Sequence, residues 1–245
     1  MRAFTSFIVC ERLQAVRAFA LAAATTIVLL AGCGSEIGKP KAQVIADARH
    51  ARDSASSVLV SGIFRGSSGH DTSLHVWVAN RKGEAGWVWT NYPNYRRRGW
   101  GNYDLRVIGT DLYIRGNFAA IARSHGGSNP PTGTWLKAST TSGPLAKLYA
   151  LVAPSQLFPM LDADPHTLTD RGWSDFGDNN PDNHAVVDIR SKDGGMMLIR
   201  ANGTPYPDSM QWDDLGNELE FSNWNAPVPI NPPKGALPAS RFGLG

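Results

Sequence analysis

The chain has 245 residues, of which 42% are hydrophobic and 18% charged, and 24 basic against 21 acidic side chains give a net charge of +3. This composition can bury a core, which excludes a disordered tail, and without a sustained basic block we expect no nucleic-acid partner. The one strongly apolar segment, residues 18–30, is too short to span about 30 Å of hydrocarbon, which excludes a polytopic membrane protein.

The N-terminus has the features of a secretory leader. Three arginines precede the apolar segment, which ends in Leu30-Ala31-Gly32-Cys33. This ending resembles the lipobox of bacterial lipoproteins, in which the cysteine takes a diacylglyceryl thioether and becomes the first residue after cleavage. We therefore predict a signal peptide over 1–32, a lipidated tether over 33–39, and a protein anchored through Cys33 to the extracytoplasmic face of the cytoplasmic membrane. An ordinary cysteine, or cleavage elsewhere, is the alternative.

The next segment is predicted to be a helix followed by strands. Val44, Ala48, Ala51 and Ala55 recur at helical spacing, which predicts a helix over 40–56 with a thin apolar face. From residue 57 the period changes to two, and segments rich in Val, Ile, Trp and Tyr alternate with Gly, Asn and Asp. The predicted strands are 57–64, 73–80, 85–90, 104–108, 111–115 and 134–138, and their short connections favour an antiparallel meander.

Two further helices interrupt the strands. One is short, over 117–125, and the other covers 144–158, where Leu145, Leu148, Tyr149 and Val152 form one apolar stripe. A second set of strands is predicted at 166–173, 184–190, 196–201, 210–214 and 218–222. Five prolines follow residue 224, so we expect 234–245 to be a flexible tail.

These elements together predict an α+β fold. We expect a curved antiparallel sheet of about ten strands, a half-barrel, with two or three helices over its concave face. The space between helices and sheet could be packed solid or hold a ligand, and the residues leave both possibilities open. The candidate lining residues are apolar positions that share one face of an element: Leu74, Val76, Val78, Leu105, Val107, Leu112, Ile114, Leu145, Leu148, Tyr149 and Val152.

The C-terminal sequence resembles that of a known family. Residues 221–233 read Phe-Ser-Asn-Trp-Asn-Ala-Pro-Val-Pro-Ile-Asn-Pro-Pro. These residues resemble the closing segment of the actinobacterial LppX/LprG-type lipoproteins. The lipobox and the order of a helix followed by a meander resemble the same family. The resemblance implies a domain over 40–233 with a fold similar to that of the lipoprotein carrier LolA, and an apolar cavity that accepts the acyl chains of lipids or lipoglycans.

No motif of catalysis or metal binding stands out. The sequence has no Gly-x-Ser-x-Gly elbow and no Ser-x-x-Lys motif, and its six histidines lack ligand spacing. We therefore expect a non-enzymatic protein without a cofactor. The loop at 175–183 is rich in Asp and Asn, which favours an Asx-rich turn, with a calcium site as the alternative.

The one basic cluster consists of Arg96, Arg97 and Arg98, shortly before Trp100. It predicts a solvated loop or, as the alternative, a patch that contacts anionic lipid head groups with the help of neighbouring tryptophans.

Two functions remain in competition. The first is a membrane-anchored envelope lipoprotein that binds and transfers lipids or lipoglycans in an apolar cavity, with an envelope lipid or glycolipid as its partner. The alternative is a non-catalytic interaction module that binds cell-wall glycan or a protein. Three tryptophans discriminate, because inward-facing Trp77, Trp87 and Trp89 with an empty interior favour the carrier, and an outward row over a filled core favours the module.

Overall fold

The computed structural model describes residues 35–65, 71–80, 82–91, 100–150, 153, 157–175, 185–212 and 217–245. The predicted signal peptide, Cys33, the 96–98 cluster, Val152 and most of the 175–183 loop lie outside these residues. Of Trp89 and Trp100 only the backbone is described.

The helices of the described chain are short. They are α1 (Lys41–Ser54), α2 (Ala119–Ser124), α3 (Pro144–Ala150) and α4 (Pro159–Asp162), with 3₁₀ turns at Pro165–Thr167 and Ala239–Phe242. The helix predicted over 40–56 is confirmed as α1, which buries the expected face. The helix predicted over 144–158 is described as far as Ala150, and Pro159 opens the separate helix α4, because proline suits a first helical turn.

The strands form one sheet. They are β1 (Val58–Arg65), β2 (Asp71–Ala79), β3 (Gly83–Asn91), β4 (Trp100–Ile108), β5 (Asp111–Gly116), β6 (Leu136–Ser139), β7 (Leu168–Asp175), β8 (Ala185–Ser191), β9 (Met196–Arg200), β10 (Pro207–Trp212), β11 (Asn217–Ser222) and β12 (Leu237–Pro238). Their order is β12-β6-β5-β4-β3-β2-β1-β11-β10-β9-β8-β7, and among these described strands only β12 and β6 pair in parallel. The predicted α+β fold with a curved antiparallel sheet is confirmed.

Two meanders meet in the middle of this sheet, where β1 pairs with β11. Because neighbouring strands alternate in direction, the first residues of β1 and β8 share one end of the sheet with the last residues of β2, β9 and β11. We call this the near end. The last residue of β3, Asn91, pairs with the first of β4, Trp100, at the opposite or far end.

The two faces of the sheet differ in burial. On β2, Leu74, Val76 and Val78 are buried, whereas His75 and Trp77 between them are half-buried. We call the face of Val76 the inner face and that of His75 the outer face. Residues of all four helices join the inner face in one core. Full burial of a Val or Leu side chain contributes about 1.5–3 kcal/mol, so this core dominates the stability of the fold.

Two glycines permit the sheet to bend. A Cβ at Gly62 of β1 would collide with the carbonyl oxygen of Glu218 on β11, and a Cβ at Gly86 of β3 with that of His75 on β2. Backbones approach this closely only where a side chain is missing, and glycine kinks of this kind curve a sheet.

The first described residues are docked at the near end. The Glu36 backbone N–H donates to the Ala201 carbonyl at 2.6 Å, and Ser35 Oγ donates to the same oxygen at 3.2 Å. Lys39 Nζ donates to Glu36 Oε1 at 2.7 Å and to Asp47 Oδ2 at 2.8 Å. The Glu36 side chain is 2% exposed, and burial raises its pKa. From Ser35 onward, the segment predicted as a tether is therefore held against the domain.

The C-terminal residues 234–245 are also docked, contrary to the expected flexible tail. Leu237 and Pro238 pair in parallel with β6, and the Leu244 N–H donates to the Ala239 carbonyl at 3.1 Å. The side chains of Ala239 and Leu244 are 0% exposed. Proline removes backbone donors but leaves carbonyls free to pair and apolar side chains free to pack, so a proline-rich sequence did not prevent this segment from docking.

Candidate functional site

The candidate lining residues lie together on the inner face. Ten of the eleven belong to the core or pack against it, and Val152 lies outside the described residues. Apart from Tyr149, these ten are at most 7% exposed. Little water-sized space therefore adjoins them, except at Val78, which lines the recess described next, and the role of the set in lining a cavity stays a prediction.

A recess of about 250 Å³ opens at the near end, where the core meets solvent between α1, α4 and the sheet. We call it the end recess. Its apolar lining consists of Ala55, Val58, Val78, Phe158 and Trp224. Val58 and Val78 are paired at the near end of β1 and β2, so the recess lies at the edge of the same core that holds the candidate lining residues.

Arg52, near the C-terminus of α1, lies at the mouth of the end recess. Its Nη1 donates to Asp162 Oδ1 of α4 at 2.6 Å, and its Nε donates to Asp53 Oδ1 at 2.8 Å. Its guanidinium carbon lies 5.3 Å from the centroid of the Phe158 ring, within cation–π distance. Arg52 thus holds α4 against α1 through a partly exposed ion pair, an interaction of modest strength.

Aromatic rings form the wall of the end recess on the β11 side. Phe158 stacks on Phe221 with centroids 4.8 Å apart, and Trp224 stacks on Tyr206 at 4.4 Å. Phe221 and Trp224 both belong to the 221–233 segment that carries the resemblance to LppX/LprG-type lipoproteins. That segment therefore builds part of the site, which sequence reasoning had not assigned to it.

The core also contains an acidic side chain. Glu84 of β3 occupies the inner face between Val78 and Val107, and its side chain is 5% exposed. Tyr149 Oη of α3 donates to Glu84 Oε1 at 3.0 Å, while Oε2 is buried without a partner among the described residues. Burial raises the pKa of Glu84 to about 7, and the hydrogen bond from Tyr149 offsets part of that effect. In the sequence, the only indication of this buried carboxyl group is that Glu84 is a single acidic residue at an inward position of a mostly apolar strand.

A row of side chains crosses the outer face, one from each of the strands β1 to β5: Ser61, His75, Trp87, Asp104 and Arg115. Trp87 is 39% exposed, and Trp77 on the same face is half-buried. This outward placement of Trp77 and Trp87 is the one expected of the interaction module. The Trp89 side chain lies outside the described part of the chain.

In the part of the chain that the structure describes, no three His, Cys, Asp or Glu side chains are close enough together to hold a metal ion. None of the helices in the described ranges is long and apolar enough to cross a bilayer.

Comparison with known proteins identifies the fold. No protein-family model matches the sequence, and no curated protein matches it significantly. Among solved structures, LprF from Mycobacterium bovis is 16% identical, with a TM-score of 0.52 over 82% of this chain and 100% of that chain. A putative outer membrane lipoprotein-sorting protein domain from Vibrio parahaemolyticus is 10% identical over 78% of this chain and 95% of that one, with a TM-score of 0.26, too low to indicate a shared fold. LprF is an LppX/LprG-type lipoprotein, so the predicted resemblance is confirmed at the level of the fold.

Proposed function

We propose that this protein is a lipid-anchored lipoprotein of the cell envelope that binds and transfers an envelope lipid or lipoglycan, without catalysis. The observation that carries the proposal is the end recess, an opening of about 250 Å³ into the core beneath the helices, which five apolar residues line together with the polar or charged Arg52, Asp53, Ser57, Asn80 and Asp162. The fold shared with LprF supports it, because that fold places helices over the inner face of a curved sheet.

The size of the end recess determines what can enter it. Small-molecule sites usually measure ~300–1,000 Å³, so about 250 Å³ suits the end of one acyl chain rather than a whole glycolipid. Deeper entry requires α4 to move away from α1, which breaks the Arg52–Asp162 ion pair. Each methylene group that is buried away from water contributes about 0.8 kcal/mol to the free energy of binding. Burial of a few methylene groups therefore offsets the loss of one surface ion pair.

The position of the recess favours exchange with a membrane. The end recess and the docked Ser35 lie at the same near end of the sheet, because Val78 lies at the end of β2, and Ala201 and Trp224 come just after the ends of β9 and β11. An acyl group on Cys33, two residues before Ser35, brings that end to the bilayer. The recess then faces the membrane from which a lipid would be taken.

Lipid that co-purifies with the protein tests this proposal. Native mass spectrometry of the domain from Ser35, secreted from a host with a cell envelope, is expected to show bound lipid. Val78→Phe narrows the recess and is expected to reduce the lipid-bound fraction several-fold. Overpacking lowers the stability by about 1–3 kcal/mol, so melting curves accompany each spectrum.

Val187→Phe is the matched control, because Val187 is also buried in the core, on β8, but is not among the residues that line the recess. It is expected to lower the melting temperature while lipid stays bound. A wild-type protein that never carries lipid, or equal lipid loss in both variants, contradicts the proposal.

A further inference from the structure

A second recess, of about 360 Å³, lies on the outer face over β2, β3 and β4. It is lined by Ser73, Trp87, Asn102 and Asp104, and we call it the outer recess. Its volume falls in the range of ~300–1,000 Å³ that is usual for small-molecule sites. The sheet separates it from the end recess, so a function there is independent of lipid binding in the core.

The indole of Trp87 is held in place before any ligand arrives. Its ring stacks on that of His75 with centroids 5.6 Å apart and planes 8° from parallel. His75 Nδ1 in turn shares a hydrogen bond of 3.0 Å with Ser61 Oγ. A large aromatic ring that is 39% exposed and already ordered can accept a ligand without a further loss of conformational entropy.

The polar groups around this ring can donate and accept hydrogen bonds. Asn102 offers two N–H donors and a carbonyl acceptor, Ser73 offers a hydroxyl, and Asp104 offers a carboxylate. Asn102 is exposed, so its amide is accessible from solvent. Adjacent hydroxyl groups of a sugar, each both donor and acceptor, match this set.

The charge of the outer recess is balanced. Arg115 Nε donates to Asp104 Oδ2 at 2.9 Å, and the Arg115 guanidinium also lies 4.9 Å from the Trp135 ring centroid. An anion would face the Asp104 carboxylate, and a cation would find that carboxylate already paired with Arg115. An acyl chain would pack on Trp87 but would leave the side-chain amide of Asn102 without hydrogen bonds, which is unfavourable. The recess therefore suits a neutral ligand that has both an apolar face and hydroxyl groups.

We propose that the outer recess binds a neutral glycan, with one sugar ring stacked on Trp87 and its hydroxyl groups hydrogen-bonded to Asn102 and Asp104. The C–H face of a pyranose ring supplies the apolar surface that packs on indole, and its edge supplies the hydroxyls. The protein would in this way hold a polysaccharide of the envelope on the outer face of its sheet.

Isothermal titration calorimetry tests the proposal with the full chain, purified from membranes in a detergent without a sugar head group. The probes are maltohexaose, cellohexaose and mannohexaose, with hexagalacturonate as the anionic counterpart and phosphatidylglycerol vesicles as the lipid surface. At least one neutral hexasaccharide is expected to bind. Trp87→Ala is expected to weaken that binding about tenfold or more, and Asn102→Ala about threefold, as for one hydrogen bond.

Trp77→Ala is the matched control, because Trp77 lies on the same face but does not line the outer recess. It is expected to leave the affinity unchanged within about twofold, and Asn102→Ala, an exposed site, keeps the test valid if a tryptophan variant fails to fold. The proposal is overturned if no neutral hexasaccharide binds, if binding survives both Trp87→Ala and Asn102→Ala, or if only hexagalacturonate or the vesicles bind.

Discussion

Tyr149 Oη donates a hydrogen bond of 3.0 Å to Glu84 Oε1 and so joins α3 to β3 inside the apolar core. A buried carboxyl group is unfavourable unless its oxygens are hydrogen-bonded. Tyr149 satisfies one oxygen of Glu84, and the other has no partner among the described residues. The attachment of α3 to the sheet is therefore sensitive both to this hydroxyl and to the protonation of Glu84.

Tyr149→Phe is expected to destabilise the fold by about 1–3 kcal/mol at pH 8, because it leaves a buried carboxylate without its donor. Urea denaturation at that pH measures the loss. Tyr113→Phe serves as the control, since Tyr113 Oη lies 3.4 Å from Asp111 Oδ2, a longer contact to a partly exposed side chain. Equal effects of the two substitutions would argue against a special role for the Glu84 contact.

Stability is expected to fall as pH rises from about 4.5 to about 7. Burial raises the pKa of Glu84 from 4.5 to about 7, so in this range the folded protein binds a proton that the unfolded chain has released. The stabilisation is complete below pH 4.5 and is lost as pH rises through 7, with a total of order 3 kcal/mol. Glu84→Gln is expected to flatten this part of the pH profile in urea titrations. Parallel profiles for the wild type and the variant would show that Glu84 does not titrate in this range.

Leu244→Ala is expected to destabilise the protein by about 2–5 kcal/mol, as for other fully buried leucines. Leu244 is buried although it is the penultimate residue. Arg241→Ala, at an exposed position of the same segment, is expected to change the stability by less than about 0.5 kcal/mol. A thermal melt compares the two, and an unaffected Leu244→Ala protein would restore the flexible tail that the prolines suggested.

Cys33→Ala is expected to abolish lipidation and processing of the leader, because only the thiol can form the thioether. Intact mass and detergent-phase partitioning measure both effects. Cys10→Ala, within the predicted leader, is the matched control and is expected to be processed normally. A Cys33→Ala protein of mature mass in the detergent phase would refute the predicted anchor.

The sequence predicted the elements that depend on local patterns. The period of two from residue 57 indicated the strands, and Val44 and Ala48 indicated the inward face of α1. It did not predict the docking of the C-terminal segment or of Glu36, because the pairing of Leu237 with Leu136 and the hydrogen bond from Glu36 to Ala201 each join residues distant in sequence. Nor did it identify Glu84 and the end recess, since both arise from where α3, α4 and the 221–233 segment meet the sheet.

If Cys33 carries the predicted acyl group, the docking of Ser35 also determines how far each part of the domain stands from the membrane. Two residues reach at most about 7 Å, so an acyl group on Cys33 leaves the near end little freedom to pivot. Asn91 lies eight residues along β3 from Gly83, and at about 3.3 Å per residue the far end can stand about 26 Å above the near end. Trp87, halfway along the same strand, can stand about 13 Å above it. In a domain anchored in this way, the outer face would at that height meet the material that lies beyond the lipid head groups, while the end recess would stay beside the bilayer.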